Sequence, residues 1–170
     1  MVLDLTPLLD DRVKEIPVEK EVPVDVLFRS GDELQFRQPV SLRGRLYRIE
    51  EDVVFFSGDL DVSLTTACYR CLEPVKVEET YDFDEVVYAP GKEEDYDLIM
   101  EPEGQEIDLR TFTENVLDLK LPLRFLCHED CKGLCPVCGA NLNTSECNCN
   151  TEKTDPRFAM LKNLLKDSNS

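Results

Sequence analysis

The chain has 170 residues, 36 acidic against 19 basic side chains, a formal net charge of −17, eight cysteines and no tryptophan. That length suits one domain with an appendage better than two full domains. The charge argues against direct binding to bare nucleic acid, whose phosphates call for clustered Lys and Arg, and no run approaches the roughly 18 apolar residues that cross a bilayer.

Residues 1–10 lack a basic start, are interrupted by Asp4 and Pro7, and are followed by no small-residue cleavage site, so they do not read as a secretory signal. The expected location is the cytoplasm, where thiols stay reduced. Beyond this segment the pattern is strand-like. Val22, Val24, Val26 and Phe28 alternate, as do Leu42, Gly44 and Leu46, then Val53 to Phe56, Leu60, Val62, Leu64 and Thr66, and finally Val75, Val77, Tyr81 and Phe83. Ser30-Gly31-Asp32 and Ser57-Gly58-Asp59 read as turns between these runs. Short strands with tight turns and no intervening helices predict an antiparallel meander curled toward a small barrel or sandwich, not a parallel doubly wound sheet.

Residues 73–106 carry 13 acids and only two bases, Lys76 and Lys92. The plain reading is a solvated acidic face with a mobile loop around residues 90–95; the sharper one is a surface that attracts basic proteins. Helical signals come late. Asp108 caps a segment in which Leu109, Phe112, Val116 and Leu119 share a face and which Pro122 ends, while Asp155 and Pro156 open a second, with a stripe of Phe158, Leu161, Leu164 and Leu165 that suits packing on the core. The fold class is therefore α+β: an acidic β-rich domain over residues 1–126 and a cysteine-rich module with a terminal helix over residues 127–170. Their net charges are −16 (14 basic, 30 acidic) and −1 (5 basic, 6 acidic).

The cysteines fall in four close pairs: Cys68 with Cys71, Cys127 with Cys131, Cys135 with Cys138, and Cys147 with Cys149. Each pair can place two thiolates on one ion from a single turn, and four pairs complete two tetrahedral sites of the structural zinc type, with a single ion as the lesser stoichiometry. Cys135-Pro136-Val137-Cys138-Gly139 is the most specific motif, its glycine permitting the positive φ that closes a metal-binding turn. It pairs most compactly with Cys147 and Cys149. Cys68 and Cys71 end a strand, so they can share an ion only if the chain bends at Tyr69-Arg70, as at a hairpin tip. Their partners would be Cys127 and Cys131, although other partitions stay open, among them Cys131 joining Cys135 and Cys138.

His128 is the single histidine and, beside eight thiols, reads as exposed or supporting rather than as a ligand. Catalytic zinc and hydrolytic triads both draw on histidine. No phosphate-cradling glycine loop or nucleotide motif is present, so a non-enzymatic protein is expected. Cys68-Tyr69-Arg70-Cys71 leads into another strand rather than a helix, which removes the geometry of a thioredoxin-like centre; a zinc-thiolate metal or redox sensor needs no such geometry and stands as the alternative.

The stretch Cys68-Tyr69-Arg70-Cys71-Leu72-Glu73-Pro74, the segment Ile107-Asp108-Leu109 through Leu121-Pro122-Leu123, and the tail from Leu134 to Asn143 with Asp155-Pro156-Arg157 resemble the bacterial YceD family of large ribosomal RNA subunit accumulation proteins. The resemblance implies a cytosolic, non-enzymatic role in ribosome biogenesis, supporting accumulation of large-subunit (23S) ribosomal RNA. It also implies that the module from Cys135 to Cys149, absent from some members, stabilises this version without defining the shared activity. An acidic protein of that kind would work through a basic ribosomal protein or assembly factor rather than naked RNA.

Overall fold

The computed structural model describes residues 1–149 except Ser30, Glu51, Glu93, Pro102 and Glu103. The expected helix over residues 155–165 lies outside the described residues. Eight strands and two helices are formed among those described: β1 Val2–Asp4, α1 Thr6–Leu9, β2 Glu15–Val22, β3 Val26–Arg29, β4 Asp32–Phe36, β5 Val40–Glu50, β6 Val53–Ala67, β7 Pro74–Tyr88, β8 Glu106–Asp108 and α2 Leu109–Lys120. β1 pairs with β8, and the other six strands form one antiparallel sheet.

The sheet is organised around β6, whose 15 residues are long enough to take different neighbours along one edge. β5 pairs with its first part and β4 with Leu64 and Thr65, while β7 runs along the whole opposite edge, from Val54↔Tyr88 to Ala67↔Pro74. β2 flanks β5 and β3 flanks β4. Among the described residues β2 and β7 do not pair, so the sheet is open rather than a closed barrel.

Ser57-Gly58-Asp59 is not a turn. It lies inside β6, with Gly58 opposite Gly44 of β5 and Phe83 of β7. A Cβ on Gly58 would sit 2.0 Å from the Arg43 carbonyl oxygen, and one on Gly44 would sit 2.5 Å from that of Ser57, so the two glycines allow an approach no other residue fits. The reversal comes instead at Asp52, where Glu50 meets Val53.

Over this glycine pair sits α2. Phe112 stacks on Phe56 at 4.7 Å between ring centroids and meets Phe83 edge-on at 5.2 Å. Leu109, Phe112, Thr113, Val116 and Leu117 are buried, and the Thr113 hydroxyl donates to the Leu109 carbonyl. Asp108 caps the helix as its sequence suggests, accepting from Arg110 N–H and the Thr111 hydroxyl. Leu119 departs from expectation at 64% exposure. It falls at the margin of the apolar face on the last turn, lining a shallow cleft with Leu98 and Ile99, and Leu117 takes its place in the core.

The run from Val22 to Phe28 also breaks. Val22 and Val24 are buried, but Val26 and Phe28 are exposed at 39% and 76%. Residues 23–25 separate β2 from β3, and after this interruption Leu27 and Arg29 take the inner positions. A single-residue slip exchanges the faces of a strand.

Candidate metal centres

At the tip of the β6–β7 hairpin the ladder stops at Ala67↔Pro74 and the chain turns through Cys68-Tyr69-Arg70-Cys71. Cys68 N–H donates to the Glu73 carbonyl at 2.7 Å and Leu72 N–H to that of Cys68 at 2.9 Å, with Leu72 held at φ +62°. This is the bend that lets both sulfurs face one point. The segment after α2 docks on the same tip: Tyr69 N–H donates to the Phe125 carbonyl, the Arg124 guanidinium lies 4.2 Å over the Tyr69 ring, and Arg70 donates to the Cys131 carbonyl at 2.8 Å.

Cys68, Cys71, Cys127 and Cys131 therefore converge, their sulfurs all within 4.8 Å of one another. Cys71 and Cys127 are 3.6 Å apart and Cys68 and Cys131 3.8 Å. Ligands about 2.3 Å from a tetrahedral ion lie about 3.8 Å from each other. Three of the four cysteines are buried and Cys127 is exposed. His128 is exposed and stands outside the cluster, lending only its carbonyl to the Cys131 N–H.

Cys135, Cys138, Cys147 and Cys149 form the second cluster, with the same 4.8 Å bound. Here the knuckle is closed by Cys135 N–H to the Ala140 carbonyl, Gly139 N–H to that of Cys135, and Val137 N–H to the Cys135 sulfur. Gly139 has φ +74°, the positive dihedral its position calls for. All eight cysteines are free of disulfides.

The thiols differ in acidity within each cluster. Burial, the largest influence, pushes Cys68 up, but N–H groups of Cys71, Cys127 and Arg70 outweigh it and bring the thiol to about 6. Cys135 is lowered to about 6, chiefly by the N–H groups of Cys138 and Val137. Their neighbours move the other way: burial and then the Cys131 sulfur raise Cys127 to about 12, and Cys138 raises Cys149 to about 12. Four thiolates repel one another unless a cation sits among them. An all-sulfur donor set with tetrahedral spacing and N–H groups aimed at the sulfurs fits a structural metal ion, and either set of four could hold one.

The structure thus joins the cysteines as spacing suggested and keeps Cys131 out of the second set. It also shows an acidic surface that chain order concealed. Across four strands the register runs Glu19↔Arg43↔Asp59↔Asp82, so one guanidinium stands in a row with three acids; it bonds two carboxylates of β6, Asp59 at 2.6 Å and Asp61 at 2.7 Å. Alternation divides the acids of residues 73–106 between two faces, and this outer face recruits others from β2 and β6. Only strand register could have revealed it.

An antiparallel sheet laid on one helix, with two four-cysteine clusters gathered at its hairpin end, defines a class of small β-rich protein with metal-binding potential. The family model described as large ribosomal RNA subunit accumulation protein YceD matches residues 56–165, and the chain belongs to that family. A protein of Arabidopsis thaliana called large ribosomal RNA subunit accumulation protein YCED homolog 1, chloroplastic, is 38% identical over 63 residues, 37% of this chain and 20% of the plant protein. Uncharacterized proteins of Mycobacterium leprae (strain TN) and Mycobacterium tuberculosis (strain H37Rv) are 28% identical over 172 and 32% over 116 aligned residues. These cover 97% and 66% of this chain, and 77% and 56% of the relatives. The chain thus spans a fifth of the plant relative and little over half of the tuberculosis protein. No solved structure matches. No helix among the described residues is long and apolar enough to cross a membrane.

Proposed function

We propose that this protein is a non-enzymatic factor in ribosome biogenesis that supports accumulation of large-subunit (23S) ribosomal RNA in the cytoplasm. The match of residues 56–165 to the YceD family, whose description names that accumulation, carries the reading. Both cysteine clusters hold zinc as structural ions, ligated by Cys68, Cys71, Cys127 and Cys131 and by Cys135, Cys138, Cys147 and Cys149. Soft sulfur in fours, closed to substrate, favours zinc in this role. The outer sheet face meets a basic ribosomal protein or assembly factor, since a chain of −17 repels bare RNA. Ribosome profiles of cells with and without the protein test the role: a specific deficit of large subunits and their RNA is expected without it, and an unchanged profile rejects it. Salt-insensitive binding of purified large-subunit proteins, or preference for naked RNA, rejects the adaptor.

A second reading has one observation in its favour. Cys127 and Cys138 are exposed, one in each cluster, and within reach of oxidants. A zinc-thiolate sensor would release metal with disulfide formation at mild peroxide, whereas an adaptor keeps it.

A further inference from the structure

The two cysteine clusters are separate as ligand sets but not as structures. The strand tip and the linker between the clusters interlock, with Leu134 N–H donating to the Arg70 carbonyl and Leu142 N–H to that of Gly133. Asn143 lies between Cys138 and Cys147, inside the loop that the second cluster closes, yet its side chain serves the first. Its amide Nδ2 donates to the Cys131 sulfur at 3.3 Å, and its Oδ1 accepts from Lys132 N–H at 2.8 Å. Asn141 steers it: the Asn141 Oδ1 accepts both the Asn143 N–H at 3.0 Å and its Nδ2 at 2.9 Å. Among the described residues no other side chain apart from the cysteines donates to a cluster sulfur.

We propose that Asn143 is a positioning residue that couples the two clusters, so that an ion bound by Cys135, Cys138, Cys147 and Cys149 tightens the hold of Cys68, Cys71, Cys127 and Cys131 on theirs. The inference rests on the reading that both clusters bind metal. An ion in the second cluster pins Cys138 to Cys147 and thereby fixes the loop that carries Asn143. Once fixed, the amide donates to a sulfur without first being ordered. That donation disperses thiolate charge, of which four sulfurs leave an excess over a divalent ion. The linkage is reciprocal, so the first ion favours the second to the same degree.

Cobalt(II) titration of the full chain, read by thiolate-to-cobalt absorbance against a competing chelator, tests it. The wild type is expected to take two equivalents in one cooperative stage. Asn143→Ala should still take two, but in two resolved stages, with the first cluster weakened by about 10- to 100-fold, the usual effect of losing a partner behind a ligand. Serine at both Cys147 and Cys149 should weaken the remaining site by a similar factor, and adding Asn143→Ala to that variant should weaken it little further, a non-additivity that marks coupling. Circular dichroism checks that each variant keeps its sheet, and the Asn143→Ala titration stands alone should the cysteine variant not fold. Independent stages in the wild type, or full additivity, overturn the coupling while leaving two metal sites. A wild-type stoichiometry below two overturns the metal reading and the coupling with it.

Discussion

Around Phe56 the chain buries side chains from both helices, from β2 and from strands β4 to β8 in one continuous cluster, with Leu27 of β3 packed against it, so each contact is backed by several others. The cysteine end is built differently. Cys68, Cys71 and Cys131 are buried with only Val75, Leu126 and Leu134 packed against them, and from Cys135 to Cys149 the described backbone makes no strand or helix. Turn hydrogen bonds and sulfur are nearly all that segment has. Apolar burial contributes roughly 25 cal/mol per Å², so a region that buries little must draw its order from another source. The contrast teaches that one chain contains a part that folds by exclusion of water and a part with little core whose order, on the proposed reading, comes from an ion.

The strongest way to break this comparison is to strip metal. Structural zinc sites contribute apparent binding energies of about 10–16 kcal/mol in small domains, and that energy is folding energy where no core exists. Chelation should abolish protection from hydrogen exchange across residues 127–149 while the β-sheet dichroism persists. Collapse of the sheet at the same chelator concentration would make the two regions one cooperative unit. Acid acts in the same direction, because protons compete for sulfurs that must be ionised to bind. The reverse test is Phe112→Ala. Removing a ring that touches both Phe56 and Phe83 should cost about 3–5 kcal/mol in urea denaturation yet leave metal stoichiometry unchanged.

How far each region could be read in advance follows from the range of its interactions. The cysteine clusters were legible because each pair of cysteines is local, and because the hairpin tip and the stretch after α2 are each marked by their own pair. The core strands were legible as alternation, but not their joints. Ser57-Gly58-Asp59 has the composition of a turn, and only the opposing Gly44 explains why a glycine stands mid-strand there. Glu15–Val22 gives little sign of being a strand, with Pro17 and three charges between its apolar residues. Val26 and Phe28 were misplaced because a short break at Pro23 shifts the frame without disturbing the pattern. Asn143 carried no chemical signal: it stood only at the end of the tail, Leu134 to Asn143, that resembles the family, and its value depends on a sulfur 12 residues earlier.

Gly58→Ala sharpens the contrast from the core side. The added methyl would meet the Arg43 carbonyl and the Gly44 Cα at 2.0 and 2.6 Å, both backbone, so β5 and β6 must separate. Overpacking of this kind costs about 1–3 kcal/mol, and the loss should appear in the thermal midpoint of the sheet. Gly139→Ala strains the other region, where φ is +74° and a Cβ meets nothing within 4 Å. Its effect should fall on metal retention and leave the midpoint of the sheet alone.

The smallest effect belongs to Asp108, at the junction of β8 and α2, and its pH dependence has a defined sign. The Met1 ammonium at 2.7 Å lowers its carboxyl below the ordinary range, and the Arg110 N–H and Thr111 hydroxyl add to this against partial burial. A carboxyl more acidic in the folded state contributes stability that is complete above its unfolded pKa, about 3.9, and drains away as pH falls through the lower folded value. Its side chain is 38% exposed, so solvent screens the charge and the cap is the dependable part. Asp108→Ala should therefore cost about 1 kcal/mol at neutral pH, and Asp108→Asn, which keeps a capping oxygen, less. The alanine deficit should shrink below pH 4. Because the sheet and α2 share one core, that loss should appear in global unfolding and not in metal affinity; a change in metal affinity instead would mean that the helix start and the cysteine end are not energetically separate.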